Sequence, residues 1–411
     1  MSSALDPGPS RERATSMSRR AWIALVVIIL VAVEAGSATS LFVARRFLKR
    51  PYAPISTTSI SRRYREVLET LLAGRTTYLT HSPTLGWTIK PNGHSSLYRA
   101  NAQGIRGDGD YRLASPEGVL RLAAFGDSFT HGDEVKNQDT WQEALMRVHQ
   151  RLEVMNFGVG GYGLDQAFLR YQEEGVKYRP HIVLIGFMSG NIFRSVNVFR
   201  PFYAQGTDLP LAKPRFVLQD GKLILIENPM KDLERYRDLL AQSKQILPRL
   251  GTHDYYFQRK YKRGGLDFLS SVRLFKLVRY ELLDQIHGAT RRGFYNPNSE
   301  PFKVTAAIFD QFVDSVAREG SLPVILFFPH GWDIVRYRRD GRRRYAPMLE
   351  HFRAKGYRYI DLLDWLDAHA RDVPVDRISP DHYSPLGNRL VADAVWDYLQ
   401  KDGLVDRVTK P

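Results

Sequence analysis

Apolar positions along this chain fall into two regimes. Near the amino end, residues 21–33 are unbroken apolar, Glu34 interrupts them, and residues 35–44 continue with small and apolar side chains. A stretch of about 24 residues makes roughly 36 Å of helix, enough to cross a hydrocarbon core of about 30 Å. From residue 119 onward, short apolar runs alternate with helical periods. Residues 119–125 read as a buried strand. A helix from Asp139, with that residue as N-cap, carries Trp141, Leu145, Val148 and Leu152 on one face. Strands are expected at 154–157 and 182–187, on either side of a helix at 164–176. Later, Val304, Ile308, Phe312 and Val316 mark a helix closing near Gly320, followed by strands at 324–328 and 357–360 and a last helix at 386–399. Strands alternating with helices imply an α/β fold whose central parallel sheet is covered on both faces.

The pattern divides the chain into six regions. Residues 1–20 form a basic tail, 21–44 a transmembrane helix serving as signal anchor, and 45–115 a stem and lead-in of short strands or turns. Residues 116–194 and 301–405 form the two halves of the α/β domain. Between them, at 195–300, the rhythm is lost. That insertion holds a hairpin over 215–227, turning at Asp220-Gly221, and helical stretches near 231–247 and 266–287. It follows Asn191 at the carboxyl end of a strand, where open α/β sheets bind ligands, which favours a substrate-selecting lid over a packing appendage that also touches the membrane.

Charge and composition narrow the picture. The formal charge of +15 suits anionic surroundings. The densest basic run, Arg336, Arg338, Arg339, Arg342, Arg343 and Arg344, reads as a solvated loop. No zinc-finger spacing, RNP-like aromatic pair or helix-turn-helix pattern accompanies it, so no nucleic-acid partner is expected. With no cysteine in 411 residues, disulfides, thiolate metal sites and cysteine nucleophiles are excluded. The apolar segment also resembles a secretory signal, with Arg11, Arg13, Arg19 and Arg20 before it and small residues at 35–38. Its continuation past Glu34 to Arg45 and Arg46 favours an uncleaved anchor. Arg45, Arg46, Lys49 and Arg50 balance the arginines in front, so charge does not set the orientation.

Four blocks carry candidate chemistry. Phe125-Gly126-Asp127-Ser128-Phe129-Thr130 sets a serine on the turn leaving a buried strand, where substrate and a base can both approach its hydroxyl. Asn156-Phe157-Gly158-Val159-Gly160-Gly161-Tyr162-Gly163 lets backbone N–H groups approach a ligand and stabilise an oxyanion. Gly190-Asn191 supplies a side-chain amide after another strand. In Asp381-His382-Tyr383-Ser384-Pro385-Leu386-Gly387-Asn388, Ser384 as N-cap and Pro385 at the first helical position fix a helix start, so His382 sits on an ordered loop. Each block alone is more often an ordinary turn.

Together, the order Ser, Gly, Asn, His resembles the SGNH/GDSL hydrolase family, through GDSFTHG, NFGVGGYGLDQ and DHYSPLGN and the preceding LGWTIKPN...NAQGIRG. The resemblance implies a flavodoxin-like three-layer sandwich and serine ester hydrolysis, with neither cofactor nor metal. Carried over by position, Ser128 attacks, His382 takes its proton, and the Ser128 and Gly161 N–H groups with the Asn191 amide hold the oxyanion. The family usually carries an aspartate two or three residues before the histidine, where this chain has Pro380 and Ser379. Asp381 is therefore expected to orient His382, ahead of Asp376, and a Ser-His dyad assisted by a backbone carbonyl stays open. Ile192 also follows Asn191 where the family often has aspartate. The implied activity is that of an esterase or deacylase on acyl or acetyl groups of envelope glycans or lipids, in a single-pass membrane protein with its catalytic domain on the extracytoplasmic side. The alternatives are an O-acyltransferase acting on a polysaccharide and an inactive scaffold that binds envelope polymer.

Overall fold

The structure, a computed structural model, describes residues 17–48, 60–204, 206–262 and 264–405. Arg11, Arg13, Lys49 and Arg50 lie outside the described residues. The chain divides into two compact units, one of Met1–Ala53 with Arg263–Arg279 and the other of Pro54–Lys262 with Tyr280–Pro411.

In the first unit, the amino-terminal apolar run forms the 28-residue helix Arg19–Arg46. Ser18 starts it, its Oγ accepting the Ala21 N–H at 3.3 Å, and Arg45 and Arg46 complement the negative end of the helix dipole. The helix is long and apolar enough to cross a membrane. Trp22, Ile28, Leu30 and Val31 on it are each more than half exposed, a surface suited to lipid rather than water.

The second unit is built on five strands: β1 (Leu120–Phe125), β2 (Leu152–Asn156), β3 (Ile182–Met188), β4 (Leu322–Phe328) and β5 (Tyr359–Asp361). Their spatial order is 2-1-3-4-5 and every pairing is parallel, which is the flavodoxin-like arrangement. All residues of β1 and β3 are buried, as a sheet covered on both faces requires. Helices Trp141–Val148, Leu362–His369 and Pro385–Lys401 pack together on one side. Leu164–Arg170, Glu300–Arg318 and Ala346–Lys355 pack on the other. Because the strand order reverses between β1 and β3, a crevice opens at their carboxyl ends, where Ser128 and Asn191 follow.

Several elements differ from expectation for local reasons. The helix after β1 begins at Trp141 with Thr140 as its cap, because Asp139 closes a preceding 3-10 turn. The stem contains an unanticipated helix, Arg62–Leu72, which buries Tyr64, Leu68 and Leu71 along one face. The arginine run is a solvated loop only in part, since Arg339 and Arg342 are exposed but the others are engaged. Arg336 donates to the Gly293 carbonyl, Arg338 to those of Val373 and Ala370, and Arg343 to Asp361 and Asp364. The inserted hairpin, Arg215–Gln219 with Lys222–Ile226, turns at Asp220-Gly221 as expected, both with positive φ. It packs against helices Leu164–Arg170 and Glu300–Arg318, with Phe216 buried.

Asn388 joins the last helix to the α/β core. Its Oδ1 accepts the Trp141 N–H at 3.1 Å, and its Nδ2 donates to the carbonyls of Tyr383 and Ser384 at 2.9 and 3.1 Å. Beside it, a Cβ on Gly387 would stand 2.2 Å from the Ile378 carbonyl oxygen, so the loop holding His382 docks only with glycine there. Replacement Asn388→Ala strands the buried Trp141 N–H and is expected to cost about 1 to 3 kcal/mol in denaturant unfolding.

Candidate active site

Ser128 opens a short helix, Ser128–His131, one residue after the Gly126-Asp127 turn that ends β1. Asp127 caps it through the Phe129 N–H at 3.0 Å and also accepts from Arg194 at 3.1 Å. Burial drives the Asp127 pKa upward, and Arg194 and the Phe129 N–H oppose that shift. Ser128 itself is 4% exposed, at the edge of the crevice.

After the helix, Gly132 turns left-handed with φ 79°, and Glu134 does the same with φ 70°, a conformation costly for a side chain bearing Cβ. The lead-in segment holds this loop in place. Arg106 is buried, and its guanidinium donates to the carbonyls of His131 (2.6 Å), Gly132 (2.5 Å) and Val135 (2.6 Å). The Glu134 N–H donates to the Tyr98 hydroxyl at 2.9 Å. Beneath them His131 is enclosed. Its Nε2 lies 2.6 Å from the Tyr78 hydroxyl, and its Nδ1 meets both Asp133 and, at 3.0 Å, Arg106 Nη1. Burial, reinforced by Arg106, pushes the His131 pKa down to about 4, so this ring is neutral and structural.

The glycine block lies against the same loop. A Cβ on Gly158 would meet the His131 nitrogen at 2.3 Å, so only glycine allows that approach. The Val159 N–H donates to the Gly126 carbonyl at 3.1 Å. Gly161 takes φ 81°, and its carbonyl accepts from Arg200 at 2.7 Å. Asn191, 1% exposed, follows β3, and its Oδ1 has no partner among the described residues. Its amide also helps stabilise the Asp127 carboxylate beside Ser128.

His382 reaches this edge from the loop before Pro385–Lys401. Ser384 caps that helix, accepting the Gly387 N–H at 3.1 Å, and Pro385 occupies its first turn, as the sequence predicts. The His382 ring lies 5.2 Å from that of Phe129, the neighbour of Ser128. No hydrogen bond joins Ser128 Oγ to His382 among the described residues, a looseness common in unliganded sites.

The acid beside His382 differs from expectation. Nδ1 of His382 lies 2.9 Å from Glu134 Oε1, whereas Asp381 is 76% exposed and directed toward His330, 3.9 Å away. Burial lowers the His330 pKa and Asp381 opposes that shift. Glu134, Asp381 and His382 bring their ligating atoms within 4.8 Å of one another, so Asp381 borders the pair without holding the ring. Asp376 sits in the separate short helix Val375–Ile378. Sequence reasoning missed Glu134 and Arg106. The available signal was the acidic pair Asp133-Glu134 directly behind the serine motif.

No protein-family model matches the chain, and no curated protein matches it. Among solved structures it is similar to an acetyl xylan esterase, at 11% identity over 68% of this chain and 100% of that one, TM-score 0.35. It is also similar to a member of the lipolytic protein G-D-S-L family from Veillonella parvula, at 10% identity over 68% and 98%, TM-score 0.35. A third is an alpha/beta hydrolase enzyme from the metagenome of Lake Arreo, Spain, at 14% identity over 71% and 97%, TM-score 0.33.

Because the His131 pKa is depressed in the folded state, its contribution to stability is complete above the unfolded value near 6.5. It is lost as pH falls toward about 4. The loss amounts to roughly 3 kcal/mol. Denaturant unfolding between pH 7.5 and 4 should show this decline, and His131→Gln should be less stable at pH 7.5 yet lose most of the acid dependence.

Proposed function

We propose that this chain is a serine esterase or deacylase of the SGNH/GDSL type, held at a membrane by helix Arg19–Arg46. Its catalytic part faces the extracytoplasmic side and cleaves acyl or acetyl esters of envelope glycans or lipids. The observation that carries this reading is the placement of His382, its ring 5.2 Å from that of Phe129 next to Ser128, with a carboxylate 2.9 Å from its Nδ1.

In the proposed reaction, Ser128 Oγ attacks the ester carbonyl carbon while its proton passes to His382 Nε2. The carbonyl oxygen becomes an oxyanion facing the Ser128 and Gly161 N–H groups and the Asn191 amide. Collapse breaks the ester C–O bond, and the leaving alcohol takes the proton from His382. Water, deprotonated by the same ring, then releases the acid and restores the serine. Glu134 holds Nδ1–H toward itself and stabilises the imidazolium, the role expected from the sequence for Asp381. Its half exposure makes that stabilisation modest, because water screens the pair. For the substrate, an indole and a guanidinium are stacked nearby: Arg344 lies 3.8 Å from the Trp332 ring, next to His330. An apolar ring face beside a cation suits a sugar ring bearing an acidic group.

Purified protein should hydrolyse p-nitrophenyl acetate and react with a fluorophosphonate probe. Ser128→Ala should abolish both, and a variant as active as the parent refutes the assignment. Product analysis with a glycan acceptor present separates hydrolysis from acyl transfer.

Glu134→Gln should lower kcat by about 10- to 100-fold with little change in KM. Asp381→Asn should change kcat by less than about threefold. The reverse ranking returns the positioning role to Asp381.

A further inference from the structure

Glu34 stands in the middle of an apolar helix, roughly 18 Å along its axis from Arg46 at about 1.5 Å per residue. A glutamate side chain cannot span that distance to reach headgroups, so in a bilayer its carboxylate needs donors brought to it. Donors are present within the same compact unit. Glu34 Oε2 accepts the Ser270 N–H at 2.6 Å, and Oε1 accepts the Ser271 N–H at 3.3 Å and the Ser271 hydroxyl. These groups form the first turn of helix Ser270–His287, whose dipole also favours an anion at that end.

The chain around this contact is apolar and uncovered. Leu266 and Phe268, in the turn before the helix, are 60% and 74% exposed, and Phe275 and Val278 are 67% and 48% exposed. Phe275 and Val278 share one helix face, which Leu282 and Ile286 extend at 56% and 52% exposure. Of the nearby charges, Lys276 pairs with Asp267 and Arg273 donates to the Ser270 hydroxyl at 2.9 Å, while Arg279 is exposed. An exposed stripe of this kind in water is a liability, but against hydrocarbon it is ordinary.

We propose that residues 264–278 form a second, non-spanning membrane element, immersed in the same bilayer as helix Arg19–Arg46 and locked to it through Glu34. This rests on reading that helix as a retained anchor. The lock itself favours retention, since cleavage at residues 35–38 would remove Glu34 and leave Ser270 and Ser271 facing nothing.

The cysteine-free chain allows the test on the full-length protein in phosphatidylethanolamine–phosphatidylglycerol vesicles. Single cysteines carrying an environment-sensitive fluorophore replace Phe268 or Phe275, with Ile28→Cys reporting the anchor and Val148→Cys, at a position 71% exposed, reporting water. Hydrolysis of p-nitrophenyl acetate checks folding. Labels at 268 and 275 should be quenched by lipids spin-labelled in the acyl chain, as the Ile28 label is, and protected from aqueous iodide. The Val148 label should show the opposite. Adding Glu34→Gln should reduce lipid quenching at 268 by about threefold or more while sparing Ile28. Quenching at 268 and 275 by iodide alone, with Ile28 still quenched by lipid, overturns the element and leaves the anchor standing. Loss of lipid quenching at Ile28 as well overturns both. Labels shielded from both quenchers place a second copy or another protein on the stripe, which also overturns the proposal.

Discussion

Arg106 carries its charge into a site water hardly reaches, and among the described residues no carboxylate pairs with it directly. The cation is solvated instead by three backbone carbonyls of the His131 to Val135 loop, with the Asn137 amide oxygen on Nε at 3.2 Å and the Tyr98 ring beneath it, 4.6 Å from its centre. Buried charge is tolerated only where its donors are used, and the planar fork of arginine satisfies several acceptors at fixed angles that an ammonium cannot match. The left-handed Glu134 persists because the residues on either side of it are held in this way. The lead-in is therefore part of the site, although none of its side chains is assigned a step in the chemistry.

The sheet was legible because each of its strands is a short apolar run bounded by turn residues, and helices of clear period lie between them. The serine, glycine, asparagine and histidine blocks were legible for a related reason, since each is a local arrangement that a strand end or a helix cap enforces. Glu134 was not, because its relation to His382 exists only after the last helix docks. The expectation instead favoured Asp381, which is next to the ring in sequence but directed away from it. The helix Arg62–Leu72 and the destinations of the arginines near 340 were missed similarly. No helical period was read in the stem, and the carbonyls and carboxylates that receive the arginines come from other segments.

The insertion divides its roles along its length. Arg194, the residue just before it, donates to Asp127 and to the Tyr162 carbonyl of the glycine block, and Arg200, near its start, donates to the Gly161 carbonyl. Its hairpin only thickens the helical flank. Variation in that hairpin would leave the site's donors untouched, whereas variation at Arg194 or Arg200 would disturb them.

Ser128 and Glu134 are close together in sequence, but the imidazole beside Glu134 is contributed by His382, 248 residues later. A ribosome therefore releases Ser128 long before the side chain that the proposed function assigns as its base. Until the carboxyl-terminal helix seats against Trp141 through Asn388, the serine is an ordinary hydroxyl on an unfinished protein. On the proposed function, synthesis would then proceed without an acyl-cleaving centre among the cell's own esters.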